Sequence, residues 1–142
     1  MTGMIIAAVV AVPLLIIGIY IGATYNALVK LKNSVEEAFS TMDVYLKKRW
    51  DLIPNIVESV KGYAKHEAQT LQNVISARNM RYGDMTEEQK LQANTELARG
   101  LAAIHVLAEQ YPDLKANQNF LDLNNQLQTT EEDIANARKY YN

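Results

Sequence analysis

The chain has 142 residues, a net charge of −2 and no cysteine. This length predicts one domain, and the near balance of 14 basic and 16 acidic residues argues against a nucleic-acid-binding protein, which usually carries a basic patch. Without cysteine, the chain has no disulfide framework, thiolate metal site or cysteine nucleophile. A hydrophobic content of 49% argues against disorder.

The first predicted element is a membrane-spanning helix over residues 1–25. Residues 4–21 are almost all aliphatic, and no charged side chain precedes Lys30. About 20 apolar residues are enough for a helix to cross a bilayer core, and this run lacks the basic start of a cleaved signal peptide. Because Lys30 and Lys32 follow the run, the positive-inside rule predicts an outside N-terminus and a cytoplasmic remainder. We therefore expect a single-pass protein that has membrane lipid as a partner.

A pair of glycines in this segment predicts self-association. Gly18 and Gly22 have the G-x-x-x-G spacing, which lets two membrane helices pack closely. The alternative is a chance pair, since glycine is common in membrane helices. The pair therefore favours a homo-oligomer joined at this helix face, with chance occurrence left open.

The remaining residues, 26–142, are predicted to form one helical domain, whose first half contains two helices. The first runs from about Asn26 to Trp50 and continues the anchor. Pro54 disfavours helix at the residue before it and suits the first turn of a new helix, so the second helix is predicted from Pro54 to about Arg81. The alternative is one long rod that is kinked at Pro54.

The second half of the chain is predicted to contain two further helices. Thr86 and Gln89 have the spacing of a capping box, which predicts the start of the third helix. A Tyr-Pro-Asp sequence at residues 111–113 stops it, and the fourth helix begins near Asn117. No stretch alternates apolar and polar residues as a strand would. Helices with short connections favour an all-α, antiparallel up-down four-helix bundle.

Apolar residues that recur every three or four positions predict the inner faces of these helices. They are Leu28, Leu31, Val35, Phe39, Met42 and Leu46 in the first helix, Ile56, Val60, Tyr63, Leu71, Val74 and Ile75 in the second, Leu91, Leu97, Leu101, Ile104 and Leu107 in the third, and Phe120, Leu123, Leu127, Ile134, Ala137 and Tyr141 in the fourth.

The tip of the bundle is a candidate partner surface. Antiparallel packing would bring the turns at Pro54 and Pro112 together at the end farthest from the membrane. The alternative is that the apolar residues of this tip only close the core. The candidate surface consists of Trp50, Leu52, Ile53, Pro54, Tyr111, Pro112 and Leu114.

Charged residues beside the apolar stripes predict a seam of ion pairs. Because desolvation costs several kcal/mol per buried ion, we expect the arginines to meet carboxylates such as Asp43, Glu67 or Glu131. These pairs would fix the register of the helices; the alternative is a polar seam that binds a ligand or partner. The predicted seam consists of Asp43, Arg49, Arg78, Glu131 and Arg138.

The sequence contains no catalytic constellation, metal site or cofactor motif that we can identify. His66 and His105 lack the partners that a zinc protease helix or a di-iron bundle requires. There is no glycine-rich phosphate loop and no G-x-S-x-G elbow. We therefore expect no catalytic residue, no metal and no cofactor, and a protein that is not an enzyme.

Several motifs occur in a specific order along the chain. They are Tyr-Asn at residues 25–26, Asp-Leu-Ile-Pro-Asn at 51–55, Val-Lys-Gly-Tyr-Ala at 60–64, Tyr-Pro-Asp-Leu-Lys at 111–115 and Tyr-Asn at 141–142. This order closely resembles the LemA family of bacterial membrane proteins over nearly the whole chain. The resemblance implies an antiparallel helical bundle anchored in the bacterial inner membrane, with a short outside N-terminus. It implies no enzyme activity.

Relatives in that family usually continue for some tens of residues past the final Tyr-Asn pair. A shorter family member and a trimmed sequence would each explain an end at Asn142.

Three functions are compatible with these features. The first is a membrane-anchored scaffold or adaptor that self-associates or recruits protein partners, whose identity stays open. The second is a structural subunit of a filament or shell, in which the apolar N-terminal helices pack in a central core instead of in lipid. The third is a ligand sensor or unrecognised enzyme that uses Asp43 and the arginines of the seam.

Overall fold

The computed structural model describes residues 1–141, without the side chains of residues 4–8, and it is all-α. No strand occurs in this part of the chain, which confirms the predicted fold class at that level. Asn142 and the side chains at 4–8 of the predicted anchor lie outside the described residues. The helices are α1 (Thr2–Lys61), α2 (Ala68–Ser76), α3 (Glu87–Gln110), α4 (Pro112–Lys115) and α5 (Gln118–Tyr141), with a 3-10 turn at Tyr82–Asp84.

Helix α1 is a single helix of 60 residues that contains Pro54 in its interior. The predicted start of a new helix at Pro54 is therefore wrong, and the second helix is only the nine-residue α2. A proline inside a helix removes one backbone hydrogen bond and costs about 3 kcal/mol. The neighbouring side chains of Ile53, Ile56 and Val57 are almost fully buried. Their burial outweighs the cost of the proline, since a fully buried aliphatic side chain contributes about 1.5–3 kcal/mol.

The packed core begins at Phe39 and not at Asn26. Leu28, Leu31 and Val35, which the spacing predicts to face the core, are exposed in the isolated chain. Phe39 itself contacts Tyr141 of α5, with 5.5 Å between the ring centroids. Residues 26–37 are exposed in the described chain, and we call them the stalk between the apolar segment and the core.

Within the core, the predicted inner faces are largely correct. Tyr63 and Ile75 are exceptions, with 41% and 36% of their surfaces exposed. The buried residues that the spacing predicts are Phe39, Met42, Leu46, Ile56, Val60, Leu71, Val74, Leu97, Leu101, Ile104, Leu107, Phe120, Leu123, Leu127, Ile134 and Ala137.

The start and end of α3 agree with the sequence. The Thr86 hydroxyl accepts a hydrogen bond from the Gln89 backbone N–H at 3.2 Å, and the Gln89 side chain accepts one from the Thr86 N–H at 2.8 Å. This reciprocal pair is the predicted capping box, and it satisfies two backbone donors that the first turn leaves free. Pro112 follows the end of α3 and begins α4.

A glycine allows α2 and α3 to approach closely. A Cβ atom at Gly100 would lie 2.9 Å from Cγ2 of Val74. We expect Gly100→Ala to destabilise the protein by about 1 kcal/mol, because the overlap with a stiff β-branched side chain costs more than the gain in helix propensity. In a Val74→Ala background the same change should be stabilising. Urea unfolding of the unchanged chain, the two single variants and the double variant measures this, and equal effects of Gly100→Ala in both backgrounds would contradict the close approach.

Candidate functional site

Arg49 lies on α1 and connects it to both long helices of the core. The residue is only 4% exposed. Its Nη1 donates a hydrogen bond to Oδ1 of Asn94 on α3 at 2.8 Å and forms an ion pair with Glu131 on α5. Among the described residues its buried Nε has no hydrogen-bond partner. Burial lowers the pKa of Arg49, and the charge of Glu131 opposes that shift. Arg49 therefore meets one of the carboxylates that the sequence proposes for it.

Asp43 meets a lysine and a tyrosine where the sequence predicts an arginine. Its carboxylate accepts hydrogen bonds from the Tyr82 hydroxyl at 2.6 Å and from Lys90 Nζ at 2.8 Å. The ammonium group of Lys90 also lies 4.7 Å from the centroid of the Tyr82 ring. These contacts join both the 3-10 turn and α3 to α1. The sequence analysis missed Tyr82 and Lys90, since spacing within one helix does not reveal contacts across a turn.

The Asp43 network predicts a measurable contribution to stability. We expect Tyr82→Phe to lower the free energy of unfolding by about 1–2 kcal/mol, because it removes a hydrogen bond to a charged group. Burial, and then the hydrogen bond to Asp43, raises the pKa of Tyr82. The contribution is therefore present below the unfolded pKa of about 10 and is lost as the pH rises above it. Urea unfolding at pH 8 and pH 11 should show a smaller alkaline loss for Tyr82→Phe than for the unchanged chain.

Arg78 and Arg138 do not form the predicted ion pairs. The guanidinium of Arg78 lies 5.1 Å from the centroid of the Trp50 ring, a cation–π contact, and its buried Nε has no partner within the described chain. Arg138 is exposed near the end of α5. In the part of the chain that the structure describes, neither side chain lies within ion-pair distance of a carboxylate. The expectation that these two arginines meet carboxylates is wrong.

Most of the predicted partner surface contributes to the core. Trp50 is 5% exposed, and Ile53 and Leu114 are fully buried. Since α1 continues through Pro54, Trp50 lies along the packed part of the helix, where it contacts Tyr82 with 5.6 Å between the ring centroids. The remaining predicted residues keep some exposed surface: Leu52, Pro54 and Tyr111 are half-buried, and Pro112 is exposed.

An open groove separates α3 from α5. Both helices pack on α1, with few direct contacts to each other. A cavity of about 330 Å³ lies between them, and a second of about 250 Å³ also includes Glu131 and reaches Arg138 and Lys139. We call the two together the α3–α5 groove. Its lining includes Arg49, then Ala98, Leu101 and Ala102 on α3, and Leu127, Gln128 and Glu131 on α5.

The sequence analysis did not identify this groove. Ala98 and Ala102 are one helical turn apart on α3, and such small side chains leave space between neighbouring helices. This spacing is the only sequence signal of the groove that we can identify, and alanine is too common in helices to make it specific.

The predicted helix-packing face of the anchor is open in the isolated chain. A Cβ atom added at Gly18 or Gly22 would meet nothing within 4 Å. Helix α1 has one segment near the N-terminus that is long and apolar enough to cross a membrane. No group of three or more potential metal ligands occurs among the residues that the structure describes.

Comparison with known proteins gives a consistent match. Residues 38–142 match the model of the LemA family. Protein LemA of Metamycoplasma hominis is 29% identical over 127 residues, which cover 87% of this chain and 57% of that protein. The chain therefore spans a little more than half the length of this curated relative. The family match begins one residue before Phe39, where the packed core also begins.

Proposed function

The chain belongs to the LemA family, and from that premise we propose that it is a membrane-anchored helical adaptor, without catalytic activity, that self-associates or recruits protein partners. The observation that carries the proposal is the continuity of α1. One helix includes the apolar segment, the exposed stalk and one side of the core. Such a helix couples the position of the core to that of the anchor, as a tether for partner proteins requires.

In this proposal the packed part is an antiparallel up-down bundle. Contacts between α1 and the last part of the chain support this arrangement: Tyr63 is hydrogen-bonded to Asn117, Arg49 pairs with Glu131, and Phe39 packs on Tyr141. As the first residue of these pairs moves from 63 back to 39, its partner moves from 117 forward to 141, which is the pattern of two antiparallel segments. The bundle lies in the cytoplasm and the N-terminus outside, an orientation supported by Lys30 and Lys32 after the apolar segment.

The stalk sets the distance between the bundle and the membrane. Residues 26–37 span about 18 Å at 1.5 Å per residue. That length exceeds the Debye length of about 8 Å at physiological ionic strength, so lipid head groups exert little force on the charges of the bundle. Recognition by the bundle is then directed at proteins and not at the membrane surface.

A filament or shell subunit is the second candidate function. Exposed apolar side chains also occur after residue 25: Leu28 and Leu31 have 60% and 64% of their surfaces exposed. A bilayer that covers residues 1–25 leaves these side chains in water. Close packing of N-terminal helices in a polymer core would cover both the apolar segment and the stalk, which favours this alternative.

Fractionation of cells without detergent, followed by negative-stain imaging of the soluble and membrane fractions, tests the two functions. The adaptor predicts recovery in membranes and extraction as small particles. Regular lipid-free polymers would overturn the adaptor and support the filament. A variant with Ile16→Lys and Ile19→Lys serves as a control, since a charge in the span should release a lipid-anchored chain to the soluble fraction.

Self-association through the anchor is tested separately. Gly18→Leu together with Gly22→Leu should reduce cross-linked dimers in detergent, because larger side chains hold the helices apart. Ile19→Leu is a matched control that keeps the volume of the segment and should leave the dimers unchanged. Equal dimer yields in the glycine variant would refute this contact.

A further inference from the structure

The α3–α5 groove contains a buried cation with unused hydrogen-bonding capacity. Arg49 lines the groove and is only 4% exposed. Both its hydrogen bond to Asn94 and its ion pair with Glu131 use Nη1, and its Nε has no partner among the described residues. A guanidinium can donate five hydrogen bonds. Because Nε itself is buried, a further carboxylate in the groove would meet the part of the guanidinium that remains exposed.

The shape of the groove favours an elongated occupant. The lining residues on α5 extend from Asn124 to Lys139, a length of about 22 Å or four helical turns. Leu101 and Leu127 form the floor of the groove with 5% and 3% of their surfaces exposed, and the small side chains of Ala98 and Ala102 leave space on its α3 side. An open apolar groove between two helices is suited to receive the apolar face of an amphipathic helix.

The charged side chains that line the groove favour an acidic occupant. Arg49, Arg138 and Lys139 are cationic, whereas Glu131 is the single carboxylate among the lining residues of the two cavities. Glu131 is already paired with Arg49, so it does not neutralise the cations near the end of α5. Complementary charge directs specificity and the rate of association.

We propose that the α3–α5 groove is the docking site for a protein partner, which presents an amphipathic helix with an Asp or Glu side chain on its apolar face. The carboxylate of the partner lies against Arg49, and its apolar side chains pack on Ala98 and Ala102 above the buried Leu101 and Leu127. This inference rests on the proposed adaptor function, for which it names the class of partner and the surface that receives it.

A peptide selection on the full chain tests the proposal. The protein is embedded in nanodiscs and exposed to a phage library of 16-residue helical peptides with randomised apolar faces. Peptides that carry Asp or Glu on the apolar face should be enriched. The affinity of a fluorescein-labelled copy of the best peptide is then measured by fluorescence anisotropy. Its amide twin, in which Asn replaces Asp or Gln replaces Glu, is measured in the same way.

Three variants of the chain locate the binding site. Ala102→Trp fills the groove and should weaken binding at least tenfold, whereas Ala103→Trp, an exposed position next to it that does not line the groove, should change binding less than twofold. Arg49→Met should abolish the preference for the acidic peptide over its amide twin, which we expect to be about tenfold to a hundredfold in the unchanged chain. Circular dichroism verifies that each variant is folded.

Several results would overturn the proposal: no enriched peptide, enrichment of neutral or basic peptides only, or equal binding to Ala102→Trp. Cross-linking of two copies through a photoreactive residue at position 102 would assign the groove to a second copy of the chain. Partners that still copurify with Ala102→Trp would reject the groove while keeping the adaptor function. If no partner protein copurifies with either the unchanged chain or Ala102→Trp, the adaptor function itself is rejected.

Discussion

Glu131→Ala is expected to lower the free energy of unfolding by about 2–4 kcal/mol, although the Glu131 side chain is 52% exposed. The reason lies in its partner and not in Glu131 itself. Arg49 is 4% exposed, and removal of the carboxylate leaves a buried guanidinium with Asn94 as its remaining side-chain partner. An uncompensated buried charge costs several kcal/mol, and the partial exposure of Glu131 places the expected value below that of a fully buried pair.

The same reasoning predicts a much smaller change in the free energy of unfolding when Arg49 is replaced. Arg49→Met replaces the buried charge with an apolar chain of similar length and leaves a half-exposed carboxylate that water can solvate. We expect its effect to be within about 1 kcal/mol of zero, since replacement of buried ion pairs by apolar residues is often neutral or stabilising. In the Arg49→Met background, Glu131→Ala should have almost no effect.

Urea unfolding provides the measurement, followed by the fluorescence of Trp50, which is buried and is the single tryptophan of the chain. Glu132→Ala is the matched control, because Glu132 is exposed on the next position of α5 and lies outside the groove lining. A loss below about 0.5 kcal/mol for Glu131→Ala would show that Arg49 is stable without its carboxylate.

The parts of the fold that the sequence predicted correctly are those that local chemistry determines. The capping box needs only the side chains and backbone N–H groups of Thr86 and Gln89, which lie in the same helical turn. The spacing of apolar residues identified the buried faces from Phe39 onwards because the helical period is the same whichever helix covers the face. It did not distinguish Leu28 and Leu31, which share the same spacing but are exposed in the isolated chain.

The incorrect predictions share a different cause, which is packing between distant segments. The break at Pro54 followed from a local preference that the burial of Ile53 and Ile56 outweighs. The predicted partner surface around Trp50 assumed that break. Because α1 continues through Pro54, Trp50 and Ile53 lie in the core instead. Spacing placed Arg49 near the inner face, but the groove above it results from the separation of α3 and α5.

Pro54→Ala is expected to raise the free energy of unfolding by about 1–2 kcal/mol. Alanine restores the backbone hydrogen bond that proline removes from the interior of α1, a gain of about 3 kcal/mol. The gain is reduced by about 1 kcal/mol because alanine gives the unfolded chain more conformational freedom. If residues 51–55 formed a turn between two helices, the same substitution would remove a favourable turn residue and destabilise the protein.

Pro112→Ala is the matched control for this experiment. Pro112 occupies the first turn of α4, where the fixed φ of proline suits the helix start and its missing N–H has no intrahelical partner to lose. We expect this change to be neutral or to cost up to about 1 kcal/mol. Opposite signs for the two prolines in urea unfolding would show that the same residue type opposes helix formation in α1 and promotes it in α4. Destabilisation by Pro54→Ala would instead indicate that α1 is interrupted at residues 51–55, inside the core.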